Sequence, residues 1–440
     1  MNIFGSDGFR CQFGTKFMTF EFISKFSCAL ADVYNSENLK EPILISRDTR
    51  SSGVLIEDLI TSILLAKGIN VVITGVLPTP GMSKLLEVKD FSMGIMITAS
   101  HNPYNDNGIK MFGSNGFKLD SNIESKIEKN ILDNNHRGDL IFNSRNTIGN
   151  KTFLKEAFNE YIELILDPII KKSLGIKILI DCGNGAFSNL SNLLNNNKDL
   201  TFINNTPSGD NINLDCGALH GKDLLNLVRL NNYDYGIAFD GDGDRAIFVS
   251  KEYGIIETEK LACLFFKLDK DKSSNKAVVS EISNLALKHN IIDIGGELIE
   301  TEVGDRFVVN AVKDSNAVLG CEPSGHFHFP KYSKSMDGFL AMQNFLLLIV
   351  HYQANLDKEL YSLEHYERIQ ENISIEKYPN IELQRVRASI KPILKENYEK
   401  LIIRKSMWDP VIRIYYDYRD KNNFIFLKEN LINILSKSAK

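Results

Sequence analysis

Short runs of apolar residues alternate with longer segments of helical periodicity over most of this sequence. The short runs predict strands at residues 42–45, 70–74, 94–97, 176–180, 235–239 and 277–279. Apolar spacing predicts helices at residues 19–34, 153–164, 224–230 and 339–350. Strand–helix alternation of this kind is typical of α/β domains.

The last part of the chain has a different pattern. Residues 383–390 and the segment from residue 397 have helical spacing, whereas residues 411–416 alternate as in a strand. This mixture predicts a smaller α+β domain that starts at about residue 367.

Domain boundaries can be placed where the pattern is interrupted. At 440 residues the chain is too long for one ordinary core. A charged, Asn-rich stretch at residues 123–151 is typical of a solvated helix and linker, and it predicts the end of the first domain. We therefore expect domains at residues 1–150, 151–250, 251–366 and 367–440.

One polar turn follows a strand that is predicted to be buried. The run at residues 94–97 ends in TASHNP at residues 98–103, here called the serine loop. Pro103 cannot extend a strand or sit inside a helix, so Ser100 lies on a tight turn at the carboxyl end of the strand. Ligands of α/β sheets bind at that edge. Ser100 is a candidate nucleophile or phosphate carrier, and a plain turn residue is the alternative.

A second polar turn carries three carboxylates. Residues 240–245, here called the aspartate loop, read DGDGDR, and alternation is expected to place Asp240, Asp242 and Asp244 on one side of an extended loop. Crowded carboxylates would repel one another and raise each other's pKa, so a cation is their natural partner. Oxygen-only ligands favour Mg²⁺ over zinc. An EF-hand is excluded because Arg245 occupies the position of its required glycine.

Further loops carry charged and hydroxyl side chains. They read FGSDGFR at residues 4–10, SRDTRSSG at 46–53, GDR at 304–306 and CEPSGH at 321–326. Arginines and hydroxyls before a helix suit an anion, and Glu, Ser and His on a Gly/Pro loop can hydrogen-bond sugar hydroxyls. Plain capped helices and structural loops are the alternatives.

Composition narrows the function classes. The formal net charge of −5 argues against general nucleic-acid binding, although it allows local basic pockets. The six cysteines form no C-x-x-C pair, which favours reduced thiols. We see no signal peptide, and the apolar run at residues 339–350 is too short to span a bilayer. We expect a cytoplasmic protein with neither nucleic acid nor membrane as a partner.

Taken in order, these motifs resemble those of the α-D-phosphohexomutases, and within that family the bacterial phosphoglucosamine mutase branch. The resemblance covers nearly the whole chain, and the pairing of TASHNP with DGDGDR is its most specific part. It implies three similar α/β domains with mixed sheets and a smaller C-terminal α+β domain around a central cleft. It also implies a Mg²⁺-dependent mutase that interconverts glucosamine 6-phosphate and glucosamine 1-phosphate, as a monomer or homodimer.

The resemblance also implies residue roles. Ser100 would be phosphorylated, and with the three aspartates it would bind Mg²⁺. A sugar 1,6-bisphosphate would be both intermediate and activator. The catalytic groups would be Ser100, Lys110, His326, Arg245 and Arg10. The substrate-binding groups would be Arg50, His101, Arg306, Glu322, Ser324, Arg404, Ser406 and Arg413.

The last domain departs from the family pattern. The family's phosphate loop reads R-P-S-G-T-E-P, whereas residues 404–410 here read RKSMWDP. If Met407 and Trp408 remove two charge-assisted bonds of roughly 1.5–3 kcal/mol each, substrate binding weakens about 100-fold or more, and Lys405 offsets part of this. Alternative functions are a mutase for mannose, glucose or another amino-sugar phosphate, or a weakened paralogue that binds a phosphosugar or a protein.

Overall fold

Four β-sheets follow one another in the computed structural model, which describes residues 3–5, 7–133, 148–269, 274–374, 383–390, 394, 399–405 and 411–418. The first three sheets mix parallel and antiparallel strands, and the fourth is small and antiparallel. The predicted α/β class with a smaller α+β unit at the end is confirmed. The domain boundaries stay a prediction.

The first sheet contains β1 (Phe9–Gln12), β2 (Ile43–Arg47), β3 (Val71–Val76), β4 (Met93–Ile97), β5 (Asp106–Gly113) and β6 (Lys151–Phe153). Its helices are α1 (Phe20–Ser36), α2 (Ser51–Ala66), α3 (Thr79–Val88) and α4 (Ser121–Leu132). The strand order is β1-β5-β4-β2-β3-β6, antiparallel only at the β1–β5 and β5–β4 pairs. Because Phe153 pairs with Ile73 in β3, the helix expected at residues 153–164 begins later, as α5 (Ala157–Ile165).

The second sheet contains β7 (Ile178–Asp181), β8 (Leu200–Ile203), β9 (Tyr235–Phe239), β10 (Ala246–Ser250) and β11 (Gly254–Ile256). Short helix α6 (Leu190–Leu193) and helix α7 (Gly221–Leu230) accompany it. In the order β11-β10-β9-β7-β8, the last three strands are parallel and β10 turns back antiparallel to β9. The aspartate loop is the connection between β9 and β10.

The third sheet contains β12 (Lys276–Ser280), β13 (Glu297–Thr301), β14 (Leu319–Glu322) and β15 (His326–His328). Its helices are α8 (Thr258–Leu268), α9 (Leu285–Asp293), α10 (Asp305–Ser315), α11 (Gly338–Tyr352) and α12 (Leu356–Ser362). In the order β13-β12-β14-β15, only β15 is antiparallel to its neighbour. Helix α11 confirms the buried helix predicted at residues 339–350. None of the described helices is long and apolar enough to cross a membrane.

The fourth sheet contains β16 (Glu367–Ser374), β17 (Glu399–Lys405) and β18 (Val411–Tyr418), and helix α13 (Leu383–Ile390) accompanies it. The order is β16-β18-β17, and both pairs are antiparallel. The helix predicted from residue 397 onward is wrong, because residues 399–405 form β17. Three consecutive apolar residues at 401–403 carry no clear period, and pairing with β18 decides the conformation.

A cluster of buried aromatic rings supports the aspartate loop. Phe187 lies 4.7 Å from Phe239 at the end of β9 and 6.1 Å from Phe339 of α11, measured between ring centroids. Gly243 turns directly over this ring with φ +77°, and a Cβ there would lie 2.4 Å from Phe187. Only glycine therefore fits at residue 243.

A matched pair of glycine substitutions tests how tightly the aspartate loop is packed. A Cβ on Gly185 would lie 2.5 Å from the carbonyl oxygen of Gly241, whereas one on Gly221 meets the side-chain ends of Ile247 and Ile255, at 3.0 and 3.7 Å. We expect Gly185→Ala to lower the free energy of unfolding by about 1–3 kcal/mol, and Gly221→Ala to change it little. Urea denaturation of both variants measures this, and equal effects would contradict the close approach.

Candidate active site

Ser100 is held in an unusual backbone conformation at the end of β4. Its φ of +52° lies in the left-handed region, which costs a non-glycine residue roughly 1–2 kcal/mol. Its backbone N–H donates to Thr98 Oγ1 at 2.9 Å, and its hydroxyl donates to Asp240 Oδ2 at 2.8 Å. The side chain is buried. The turn therefore aims the Ser100 hydroxyl at the aspartate loop of the second sheet.

Arg50 holds the serine loop in place through hydrogen bonds to its backbone. Its Nε donates to Asp48 Oδ2 at 2.9 Å. Its two terminal nitrogens donate to four backbone carbonyl oxygens, those of Ser100, Asn102, Pro103 and Asp106. The side chain is fully buried. This differs from the expectation that Arg50 binds substrate, because the guanidinium is enclosed by the loop that it positions.

Two side chains that the motifs did not single out also hold this loop. Asp48 Oδ2 accepts the hydroxyl of Thr98 at 2.7 Å, in addition to Arg50. Asn213, on the polar loop before α7, donates to the carbonyl oxygen of Ser100 at 2.9 Å. Their signal in the sequence is only their place in polar loops. The contact of Asn213 with Ser100 spans 113 residues, which no local pattern reveals.

The aspartate loop brings its three carboxylates together as predicted, but its backbone conformation differs from the one expected. Residues 241–244 form a tight turn and bends, so the expected extended loop is wrong. Asp240 Oδ1 accepts the backbone N–H groups of Gly243 and Arg245, at 3.1 and 3.2 Å, and this closes the turn. One ligand atom from each of the three aspartates lies within 4.8 Å of the others, and all three side chains are buried.

The chemistry of this group fits a hard cation. All its donor atoms are carboxylate oxygens, the ligands that Mg²⁺ prefers. Burial, and then the charges of Asp244 and Asp242, raise the pKa of Asp240 well above its ordinary value. Asp242 Oδ1 is buried and has no hydrogen-bond partner among the described residues. A cation here would satisfy that oxygen and relieve the mutual repulsion.

Lys110 of β5 neutralises part of the same charge. Its Nζ lies 2.9 Å from Asp242 Oδ2, 2.8 Å from Asp244 Oδ2 and 3.0 Å from Asp7 Oδ2. Burial would lower the pKa of Lys110, but these carboxylates outweigh it and raise the pKa well above its ordinary value. Lys110 is therefore an ammonium group at neutral pH. Asp7, in the FGSDGFR loop, is a further member of the site that the sequence motifs left without a role.

The CEPSGH loop reaches the aspartate loop through His326. His326 Nε2 lies 3.1 Å from Asp244 Oδ1, and Nδ1 lies 2.9 Å from Glu322 Oε2 and 3.1 Å from Ser324 Oγ. Burial and Arg245 lower the pKa of His326, but Asp244 and Glu322 outweigh them and raise it to about 9. The imidazolium therefore links the second and third sheets at neutral pH.

Positive and neutral groups also lie near Ser100. His101 Nδ1 is 3.2 Å from Ser100 Oγ, and burial, followed by Arg245 and Arg10, lowers the His101 pKa to about 2. Arg245 Nε lies 3.8 Å from Asp240 Oδ2. A neutral imidazole and two nearby guanidinium groups make the surroundings of the hydroxyl suited to an anionic group.

The remaining predicted site residues lie outside this cluster. Arg306 forms a two-point ion pair with the buried Glu124 of α4, so its guanidinium is already engaged. Arg404 and Arg413 face each other across β17 and β18 in the fourth sheet. Ser406 lies outside the described residues.

Comparison with known proteins gives consistent matches over nearly the whole chain. Residues 1–137 and 257–366 match the family models described as phosphoglucomutase/phosphomannomutase alpha/beta/alpha domains I and III. The chain is 33% identical over 431 residues to the phosphoglucosamine mutase of Ruthia magnifica subsp. Calyptogena magnifica, covering 96% of each. It is 34% identical over 432 residues to that of Caldicellulosiruptor bescii, covering 95% of each.

Solved structures show the same fold. A phosphoglucomutase/phosphomannomutase family protein from Burkholderia thailandensis aligns with a TM-score of 0.82 at 21% identity, covering 99% of this chain and 97% of that one. The Aspergillus fumigatus N-acetylphosphoglucosamine mutase, solved with GlcNAc-6P and magnesium, aligns with a TM-score of 0.68 at 14% identity, covering 99% and 96%.

Two arginines near the serine loop give a matched test of the site's framework. In Arg50→Lys the ammonium cannot reach four carbonyl oxygens and Asp48 together, so we expect the free energy of unfolding to fall by about 3 kcal/mol. Arg47 is only partly buried, 3.6 Å from Glu57, and Arg47→Lys should cost less than about 1 kcal/mol. Urea unfolding compares them; an Arg50→Lys protein as stable as Arg47→Lys would refute the positioning role.

Proposed function

Because the chain belongs to the phosphoglucomutase/phosphomannomutase family, with phosphoglucosamine mutases as full-length relatives, we propose that it interconverts glucosamine 6-phosphate and glucosamine 1-phosphate. It is a phosphosugar mutase, an intramolecular phosphotransferase. The observation that carries the proposed chemistry is the hydrogen bond from Ser100 to Asp240, since it joins a hydroxyl to a candidate cation site across 140 residues. Phosphoryl transfer needs this pairing of carrier and charge neutralisation.

In the proposed reaction Ser100 begins as a phosphoserine. The bond from Ser100 Oγ to phosphorus breaks and a bond from the sugar O1 to phosphorus forms, giving glucosamine 1,6-bisphosphate. One proton passes from O1 to Oγ. The bisphosphate then reorients, the bond from O6 to phosphorus breaks as a bond from Ser100 Oγ to phosphorus forms, and the proton of the serine hydroxyl passes to O6. The product is glucosamine 1-phosphate, and the phosphoserine is restored.

The residues around Ser100 have distinct tasks in this proposal. Lys110 and His326 are both protonated at neutral pH, and we assign to them the supply of the proton to the leaving oxygen. Arg245 and Arg10 offset the charge of the transferring group. His101, as a neutral imidazole 3.2 Å from Oγ, can accept or donate a hydrogen bond without adding charge.

The metal in this proposal is Mg²⁺, held by Asp240, Asp242, Asp244 and an oxygen of the phosphoserine. When bound, it would neutralise charge on the phosphoryl oxygens during transfer. The three carboxylates supply oxygen ligands, and the orphaned Asp242 Oδ1 supports the fit. A sugar 1,6-bisphosphate is the proposed activator, because an unphosphorylated Ser100 has no group to transfer.

Substrate recognition in this proposal involves the third and fourth sheets. Glu322 and Ser324 lie beside His326, so a sugar held there is next to the charged cluster. Arg404 and Arg413 lie directly opposite each other on antiparallel strands, and guanidinium groups suit the oxygens of a phosphate. We assign to these arginines the phosphate that is not being transferred. Arg306 would join only by leaving Glu124.

A substrate panel tests the proposed function. Wild-type protein with Mg²⁺ and catalytic glucose 1,6-bisphosphate should turn over glucosamine 6-phosphate with a higher kcat/KM than the 6-phosphates of glucose, mannose or N-acetylglucosamine. Intact mass should show one phosphoryl group. Ser100→Ala should lose that mass and roughly 10⁴-fold or more of the activity, whereas Ser114→Ala, at an exposed turn, should lose neither.

The outcomes separate the parts of the proposal. Preference for mannose or glucose 6-phosphate would overturn the substrate and leave the mutase chemistry intact. Full activity in Ser100→Ala would overturn the phosphoserine mechanism. A phosphorylated Ser100 without turnover of any sugar phosphate would favour the alternative of a weakened paralogue. Met407 and Trp408, which depart from the family's phosphate loop, motivate that alternative.

Metal binding can be measured without turnover. We expect Asp242→Asn to weaken Mn²⁺ binding by about 100-fold or more, because the amide keeps the shape of the side chain and loses its charge. Electron paramagnetic resonance measures the bound Mn²⁺, and Mg²⁺ serves as the competitor. Asp215→Asn is the matched control, since Asp215 is exposed and its φ of +52° also suits asparagine. Equal Mn²⁺ affinity in both variants would contradict the proposed site.

A further inference from the structure

A cavity of about 370 Å³ lies away from the serine and aspartate loops, between the turn after β5 and the third sheet. Its walls include Phe117 on the turn, Lys313 of α10, His328 of β15 and Lys334. This volume is within the range of small-molecule sites. None of the residues that we assign to phosphoryl transfer lines it.

The walls of the cavity are basic. The charged residues that line it are three lysines and one aspartate: Lys313, Lys331, Lys334 and Asp269. The Nζ atoms of Lys313 and Lys334 lie 4.8 and 5.8 Å from the centroid of the Phe117 ring, so both ammonium groups lie near the same aromatic ring. Lys334 also lies 3.4 Å from Glu87. A net positive wall around an aromatic ring suits an anionic ligand.

His328 supplies an independent observation. Its side chain is 1% exposed, and its Nε2 lies 3.0 Å from the carbonyl oxygen of Ser333, so Nε2 donates and Nδ1 is left as an acceptor. Burial lowers the His328 pKa to about 4, which keeps the ring neutral. Nδ1 is buried and has no hydrogen-bond partner among the described residues. A buried acceptor of this kind calls for a donor, and a ligand hydroxyl can supply it.

We propose that this cavity is a second ligand site, for a small hydroxylated phosphate monoester. Its phosphate lies against Lys313 and Lys334, and a hydroxyl donates to His328 Nδ1. The site is separate from the one that would hold the sugar during transfer.

The position of the cavity connects it to the catalytic cluster. Lys118, next to Phe117, lies 3.1 Å from Asp305 Oδ2 and also pairs with Asp7. Asp7 in turn lies 3.0 Å from Lys110 Nζ. The turn after β5 therefore contacts the third-sheet region through the ion pair of Lys118 with Asp305. A ligand against Phe117 stabilises this turn, and β5 itself carries Lys110.

Glycerol 3-phosphate is a suitable probe, with the full chain labelled with ¹⁵N and ¹³C at histidine. The His328 imidazole signals, assigned with His328→Gln, should shift on titration, while the His101 and His326 signals report separately on the catalytic cluster. The double variant Lys313→Gln/Lys334→Gln should weaken the His328 response about ten-fold or more. Lys222→Gln/Lys358→Gln removes the same charge from exposed positions and should leave it unchanged.

Methyl phosphate, which has no alcohol group, should bind this site more weakly than glycerol 3-phosphate. His328 signals that stay fixed while those of His101 and His326 titrate would mean binding at the catalytic cluster only, and would overturn the proposal. Equal affinities of the two double variants would also overturn it. Since no turnover is measured, failure here leaves the proposed mutase reaction untouched.

Discussion

Three buried carboxylates impose the constraint on which the rest of this structure depends. Their ligand atoms lie within 4.8 Å of one another, at a depth where unpaired charge is costly. Compensation comes from different parts of the chain: Lys110 from the first sheet, Arg245 from the loop itself and His326 from the third. The sheets are therefore joined at this point by a balance of charge as well as by apolar packing.

The same balance explains the two opposite pKa shifts within one loop. Burial acts on both Asp240 and Asp244, but only Asp244 contacts both Lys110 and His326, and its pKa falls well below its usual range. Asp240 faces the neutral hydroxyl of Ser100, and its pKa rises. The weakly compensated carboxylate is thus the one beside the proposed phosphate carrier, where additional positive charge is most stabilising.

The local parts of this picture could be predicted from the sequence. The strands at residues 94–97 and 235–239 are short apolar runs with polar turns behind them, and the carboxylate spacing in the aspartate loop indicated a cation. Arg50 could not be assigned in this way, because an arginine before a helix suits either an anion or backbone carbonyls, and only the fold decides. Asp7 meets Lys110 across the sheet, and no local pattern encodes that contact.

Helix and strand were hardest to separate where the apolar residues have no period. Residues 401–403 are all apolar, and their pairing with β18 made them a strand. In the aspartate loop the function of the residues could be predicted, because three close carboxylates indicate a cation site. The conformation of its backbone could not. Glycines permit a tight turn as readily as an extended loop, and contacts with Phe187 select the turn.

The long separations within the site also have a consequence for synthesis of the protein. Ser100 gains its contacts with Asn213 and Asp240 only after a further 113 and 140 residues have been made, and His326 follows still later. A nascent chain that has completed the first sheet therefore has the serine turn without the groups that would activate it. On the proposed mechanism, the groups that act with Ser100 are complete only after the third sheet has been made.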